Sequence, residues 1–428
     1  MRKYIYALIF IVFSTTCFGA ELIQRIEIPS SFNPVGSGAR ALGMGGAFIS
    51  VADDATAASW NPGGLIQLEM PEISVVYDMF HRSEDNYFGV HPESSGIERV
   101  SEGKLNYFSA AYPFTLKDYN MIVSLNYQKL YDFSRKWGFP MNLSAANLLI
   151  HQNTDYRQEG DLSALGLAYC IQITPRFSFG FTLNIWDDNL TPNTWEQKII
   201  QTGTAELGKN KIPLQFQSYD RYSFKGINAN FGFLWNITDK MTIGAVLKTP
   251  FTADIRHEQT LSGIGMTSGS TVNDEQLTMP MSYGLGISYR FLHNFMVSFD
   301  IYRTQWNDFL AKDSYARETS PITGKSADES DIHPTHQLRI GAEYLKITKN
   351  YIIPVCFGAF YDPAPATGGT DDIFGFTLGS GIGFGRFNLD LAYQYRFGNN
   401  IGSSILKNLD FSQDLREHTL YSSVIVHF

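Results

Sequence analysis

From about residue 71 onward the chain alternates apolar and polar residues with a period of two, as strands with two unlike faces do. In residues 386–397 (RFNLDLAYQYRF), Phe387, Leu389, Leu391, Tyr393, Tyr395 and Phe397 share one face; Asn388, Asp390, Ala392, Gln394 and Arg396 share the other. Residues 227–236 (INANFGFLWN) and 177–185 (FSFGFTLNI) repeat the pattern. The polar face is the informative one. On a soluble sandwich it would be rich in Lys and Glu. Here it is Gly, Ser, Asn, Thr and Gln, with scattered charges at Asp78, Lys248, Arg290, Asp300, Arg339, Glu343, Asp390 and Arg396. The apolar face carries almost no charge along its middle, and Lys129 falls only at the end of its run. A Lys or Arg facing lipid at mid-depth costs roughly 2–4 kcal/mol, so this face is expected to touch acyl chains.

Fourteen strands are predicted, at 72–88, 105–114, 121–136, 157–173, 176–190, 221–237, 241–260, 275–291, 295–309, 335–347, 351–362, 371–384, 386–399 and 416–428. Short connections such as 116–120, 174–175 and 292–294 alternate with long ones at 89–104, 137–156, 191–220, 261–274, 310–334, 363–370 and 400–415. An even count, with short turns on one rim and long loops on the other, predicts an all-β, 14-stranded antiparallel transmembrane β-barrel. The final segment, 421–428 (YSSVIVHF), would pair with the first strand and close the sheet. Closure removes the edges that lipid does not tolerate.

Composition agrees with this class. Only 18% of the 428 residues are charged and 14% are aromatic, against roughly 25% charged in soluble domains. The net charge of −9, without any Lys/Arg-rich run, excludes a nucleic-acid partner. Residues 1–20 read as a signal peptide: Arg2 and Lys3, an apolar core at 5–13, and small residues for cleavage near Gly19 or Ala20. After them no apolar run approaches the roughly 20 residues of a membrane helix. Cys170 and Cys356 fall on strands placed far apart, so no bridge between them is expected. His333 and His336 lack the companions of a metal site, and no catalytic constellation stands out. The chain is therefore expected to be no enzyme and to use no cofactor.

Residues 21–71 differ from the rest. The stretch 33–68 (NPVGSGARALGMGGAFISVADDATAASWNPGGLIQL) is rich in Gly and Ala and shows no strand alternation. Its small residues suit close backbone packing in a confined space, and 40–58 can supply short helical turns with Asp53 or Asp54 near a helix start. Gly43, Gly45 and Gly46 do not form a dinucleotide loop, since position 48 is Phe; no phosphate-binding Lys follows them.

This stretch, followed by fourteen strands, resembles the FadL-type outer-membrane transporters of long-chain fatty acids and other hydrophobic compounds. The likeness rests on Gly43, Gly45 and Gly46, on the acidic pair Asp53 and Asp54, and on Asn61-Pro62 just before the first strand. It implies that 21–71 is a hatch plugging the lumen of a barrel formed by 72–428. It also implies extracellular capture, lumenal binding, hatch movement and lateral release into the membrane. Gly63 stands where the family has Ala after Asn-Pro. The same pattern is similar to the PorV-like branch, whose members serve protein secretion, so secretion-system proteins are the alternative partners to hydrophobic small molecules and outer-membrane lipid. A monomer is expected.

Two groups are candidates for ligand contact. Trp137, Phe139, Met141, Leu143, Leu148, Leu149 and Ile150 fall in the long connection 137–156 and would form an apolar capture groove. Arg290, Arg339 and Arg396 face inward by alternation. One could meet a ligand carboxylate, or all could pair with Asp300, Glu343 or Asp390.

Overall fold

The structure is a computed structural model that describes residues 33–428, apart from 146–147. The expected signal peptide and the first part of the hatch, 21–32, lie outside the described residues. Twenty-two strands follow the N-terminal segment in chain order. They are β1 (Glu72–Phe88), β2 (Gly96–Leu116), β3 (Tyr119–Asp132), β4 (Arg135–Ala145), β5 (Leu148–Thr174), β6 (Phe177–Asp187), β7 (Asn193–Leu207) and β8 (Asn210–Asn236). Next come β9 (Met241–Lys248), β10 (Phe251–Gly263), β11 (Gly269–Met279), β12 (Ser282–Leu292), β13 (Phe295–Thr304), β14 (Leu310–Lys312) and β15 (Glu318–Thr319). The last are β16 (Thr335–Ile347), β17 (Ile352–Tyr361), β18 (Ala364–Ala366), β19 (Gly369–Asp371), β20 (Ile373–Phe384), β21 (Phe387–Ile401) and β22 (Phe411–His427).

Fourteen of these form the wall, each paired antiparallel with the next, in the order β1, β2, β3, β5, β6, β8, β9, β12, β13, β16, β17, β20, β21, β22. The ring closes where β1 meets β22, from Glu72 opposite His427 to Phe88 opposite Phe411. Short turns mark the periplasmic rim. On the opposite side the strands run well past the membrane, and β4, β7, β10, β11, β14 and β15 join them to make an extracellular crown.

The crown replaces much of what reads as loop in the sequence. The stretch 137–156 is mostly a hairpin of β4 and β5, and β8 begins at Asn210 rather than at 221. Two predicted strands are each divided. Residues 241–260 form β9, which pairs with β8 and β12, and β10, which pairs with β8 and β11. Pro250 stands at that break, and Pro280 stands at the matching break between β11 and β12. A proline offers no N–H to the ladder, so pairing is interrupted at both positions.

Polarity inverts where a strand leaves the bilayer. On the lower part of β8, Ile227, Phe231, Phe233 and Trp235 face outward while Asn230 and Gly232 face the lumen. Above them the parity is unchanged but the chemistry swaps: Tyr222 and Phe224 point inward, while Arg221, Ser223 and Lys225 point outward. On β1 the outward series runs Val75, Tyr77, Met79 and then His81, Ser83, Asp85. Below the boundary the outside is hydrocarbon and above it is water, so the side that must be apolar changes. Lys129 is the one apolar-face position that departs from the expected side. The β3–β5 register shifts between Lys129 and Tyr131, and this bulge turns Lys129 into the lumen. There its Nζ donates to Asp78 Oδ2 at 2.8 Å.

The crown interior is bound by stacked rings. Phe133 stacks on Trp195 at 4.7 Å, Trp195 on Tyr222 at 4.8 Å, and Tyr222 on His257 at 4.2 Å. His257 sits between two carboxylates, Nε2 3.0 Å from Asp220 Oδ1 and Nδ1 3.0 Å from Glu275 Oε1. Burial disfavours its charge, but the hydrogen bonds to Asp220 and Glu275 outweigh that and push its pKa up to about 9. The ordinary value is about 6.5. Below that pH the extra stability, about 3 kcal/mol, is fully present, and it is lost as pH rises through the folded value. Hydrogen exchange at amides 254–260, corrected for intrinsic rates, should therefore show protection falling between about pH 6.5 and 9. A His257→Gln variant should show a flat profile; an equal decline in both would contradict the assignment.

Candidate functional site

The lumen is filled by the segment from Asn33 to Leu68. It contains α1 (Ala39–Gly43), α2 (Ala57–Trp60) and a 3-10 turn at Pro62–Gln67. Most of its residues are buried, Ala39, Met44, Phe48 and Ile49 completely. Helices this short leave most backbone groups without internal partners. A buried group left unpaired costs about 1–3 kcal/mol, so the wall must supply the partners. Ser298 Oγ donates to Ala47 O at 2.6 Å, Ser178 Oγ to Gly63 O at 2.7 Å, and Thr377 Oγ1 to Gly43 O at 2.8 Å. Thr182 serves Ala58 O, and Tyr107 and Ser109 serve Ala55 O. The Asp300 carboxylate accepts the N–H groups of Phe48 and Ile49 at 2.7 and 2.9 Å.

Wall glycines let the plug approach this closely. A Cβ on Gly358 would collide with the backbone of Gly45, one on Gly341 with Met44 O, and one on Gly180 with Pro62 O. In the plug, Gly45 and Gly46 both adopt φ near +70°, which favours glycine. Gly63 lies against the backbone of Phe233 and Gly232, where a Cβ would come within 2.8 Å of Phe233 Cα. That contact accounts for Gly in place of the family's Ala. Asn61 caps the 3-10 turn through Gly63 N, and its Nδ2 donates to Ile49 O at 2.8 Å and to Phe233 O at 2.9 Å. It thus ties two parts of the plug to β8, while Pro62 opens the turn, where a missing N–H costs nothing.

Arg40 is the electrostatic centre of the plug. Its guanidinium bonds Asp53 Oδ1 at 2.6 Å within the plug and Glu343 of β16 at 2.5 and 2.8 Å. Asp54 lies 3.9 Å away and accepts from Thr56 N and Oγ1 just ahead of α2. Asp53 and Asp54 therefore act in the same cluster but do different work: one pairs with Arg40, the other organises a helix start.

Above the plug, two cavities flank Asn33 and Pro34. One of about 140 Å³ is lined by four cations and four carboxylates. Its charges are mutually paired, Lys129 with Asp78, Arg339 with Asp362 at 3.5 Å, and Arg396 with Glu417 at 3.8 Å. Arg339 also donates to Gly45 O at 3.0 Å. Of the partners the sequence suggested, Asp300 holds plug amides and Glu343 holds Arg40. Arg290 faces the periplasmic mouth, exposed and close to the turns at 175–176 and 238–240, away from Arg339 and Arg396. The second cavity, about 60 Å³, is walled by Trp186, Phe251, Met279, Tyr302 and Trp306.

Trp137, Phe139 and Met141 are brought together, but not as an exposed groove. They are buried on the inner face of β4 with Phe88, Tyr156, Ile199 and Phe411, and Trp137 Nε1 donates to Glu84 Oε2 at 2.6 Å. Ile150 packs on Ala205, with Leu143 and Leu148 beside it, whereas Leu149 faces out. The polarity inversion explains this: in the crown the apolar side of a strand looks inward.

A plugged 14-stranded barrel of this kind has known counterparts. Residues 32–395 match the model of the outer membrane protein transport protein family (OMPP1/FadL/TodX). The chain belongs to this family. It is a protein of the bacterial outer membrane. Among solved structures, the Pseudomonas putida toluene transporter TodX aligns with a TM-score of 0.56 at 12% identity, over 92% of this chain and 98% of that one. The Ralstonia pickettii toluene transporter TbuX gives 0.55 at 15% identity, over 93% and 100%. The CymD monoaromatic hydrocarbon channel gives 0.54 at 14%, over 93% and 99%. At these identities the likeness is one of fold. No curated sequence is significantly similar to the chain.

Within this family member, sequence reasoning singled out Gly43, Gly45, Gly46, Asp53, Asp54, Asn61, Pro62 and Gly63, and all eight lie in the plug against one another or the wall. It missed Arg40, a lone cation in a small-residue stretch whose four-residue-scale neighbours give no hint of Glu343. Removing the guanidinium leaves Glu343 buried and unpaired, which costs about 3–5 kcal/mol. Arg40→Ala should therefore speed hydrogen exchange at amides 39–50 while wall-strand amides keep their protection. Unchanged exchange in the plug would show that Arg40 does not hold it.

Proposed function

We propose that the protein moves hydrophobic molecules, long-chain fatty acids or related lipids and hydrocarbons, from the cell exterior into the outer membrane. The observation that carries this reading is an occluded lumen beneath a crown whose interior, not its exterior, is apolar. A plugged barrel is no open pore for polar solutes. A greasy molecule meets the hydrated polar surface of the outer leaflet, and the apolar crown interior packed from Trp137, Phe139, Met141, Trp195 and Phe224 is the surface that an opening crown would offer it. Displacement of the plug then opens the way to lateral release through the wall.

Hatch movement is testable with the protein's own thiol. A Cβ on Gly43 would stand 3.2 Å from Cys356 Cβ and 2.9 Å from Gly379 Cα, so it needs a shift of a few tenths of an ångström away from the wall, toward the range of about 3.5–4.5 Å for a disulfide. Gly43→Cys should cross-link plug to wall on oxidation. In proteoliposomes, uptake of a labelled fatty acid should then fall at least tenfold and return with reductant, while Gly43→Ala stays responsive to neither. Full uptake by the cross-linked protein would rule out a moving hatch, and absence of uptake by the native protein would rule out the transport reading.

A further inference from the structure

The strands that close the barrel carry a basic block on their outward face, at the level where hydrocarbon gives way to water. On β1, Met79 is the last apolar residue of that face, and His81 and Ser83 follow it. β22 places His418 opposite His81 and Arg416 opposite Ser83. On the other side, β2 places Ser101 opposite His81 and Arg99 opposite Ser83. The six positions form two rows across three strands, with two arginines, two histidines, two serines and no carboxylate. Below them lie Leu420 and Met79, both exposed to lipid; above them come Asp414 and Asp85. The corresponding boundary on β6, β8 and β10 alternates in sign instead, with Lys225 between Asp187 and Asp254.

Part of the block is already oriented. Tyr393 Oη lies 2.6 Å from His418 Nδ1, and the Tyr395 ring lies 5.0 Å from the same imidazole. A phenol that donates to Nδ1 leaves the hydrogen on Nε2, free to donate outward. His81 Nδ1 is 2.7 Å from Ser101 Oγ. Arg416 donates to Gly398 O, Leu415 O and Asn399 Oδ1, with Asp414 Oδ2 3.7 Å away; three of its five donors are used. Arg99 is exposed, and among the described residues it has no ion-pair partner. At a strand spacing of about 4.8 Å the backbones of Arg99 and Arg416 stand about 10 Å apart, a gap that two long side chains can close on one anion. Guanidinium groups match phosphate oxygens two at a time.

We propose that this block binds the phosphate group of an outer-leaflet lipid, whose acyl chains run down over Leu420, Met79 and Tyr77. The apolar rows beneath commit the site to a lipid: a free anion gains nothing from them, whereas a lipid phosphate stands at this height above its own chains. The site lies on the outside of the wall and does not depend on what passes through the lumen. A lipid held there spans the joint between the first and last strands and sets the height of the barrel in the outer leaflet.

The test is native mass spectrometry of the purified protein in detergent, titrated with diphosphorylated lipid A, with the same lipid A after phosphatase treatment, and with inorganic phosphate. The native protein should bind the phosphorylated lipid at least tenfold more tightly than the dephosphorylated one. Arg99→Gln and Arg416→Gln should each weaken the phosphorylated lipid by about 10- to 100-fold, the range for one charge-assisted hydrogen bond, and leave the dephosphorylated lipid within twofold. Arg99→Lys should keep most of the affinity, and Lys225→Gln, on the mixed-sign boundary, should change neither lipid. Equal affinity of the native protein for the two lipids, or Gln variants that bind the phosphorylated lipid as the native protein does, overturns the proposal. Displacement of the lipid by equimolar inorganic phosphate would show a site for the free anion and overturn the assignment to a lipid.

Discussion

The whole arrangement depends on one constraint: irregular backbone cannot sit inside a membrane-spanning barrel unless something gives it hydrogen bonds. The plug has two short helices and a 3-10 turn, and little else that is regular. Its carbonyls are met by Ser298, Ser178, Thr377, Thr182 and Ser109, one hydroxyl at a time. The inner face of the wall is thus a complementary surface rather than a merely wettable one. Its glycines follow from the same requirement, because a hydroxyl reaches a carbonyl only if neighbouring wall positions let the plug come close.

Such a joint is firm without being permanent. Each hydroxyl–carbonyl bond contributes modestly on exchange with water, about 0.5–1.5 kcal/mol, and apolar side chains of the plug such as Met44, Phe48 and Ile49 pack with Ile122, Met296, Val246 and Tyr302 of the wall. Charge adds a more selective hold. Arg40 joins Asp53 inside the plug to Glu343 on β16, and Asp300 grips the amides of Phe48 and Ile49. The plug is thus held by many weak polar contacts and a few strong ones.

The crown solves a different problem with the same strands. Once clear of the bilayer, each strand keeps its parity but exchanges its chemistry, so Tyr222 and Phe224 look inward where Asn230 and Gly232 did below. The stacked series Phe133, Trp195, Tyr222 and His257 gives the extended strands an interior of their own. Apolar surface is thereby hidden from water.

The sequence by itself determined the strand count, the closure of the sheet and the lipid-facing residues, because a period of two and a bilayer on one side leave few alternatives; the plug was legible only through the resemblance of residues 33–68 to the FadL-type family. Tertiary structure alone decided the rest. Trp137 and Phe139 read as an exposed groove because alternation does not say where the bilayer ends, and only the paired strands fix that level. The partners of Arg40 and Lys129 were equally hidden, since a charge in the lumen meets whatever the curvature of the wall, a one-residue bulge or the path of the plug brings across to it, at separations of up to hundreds of residues along the chain.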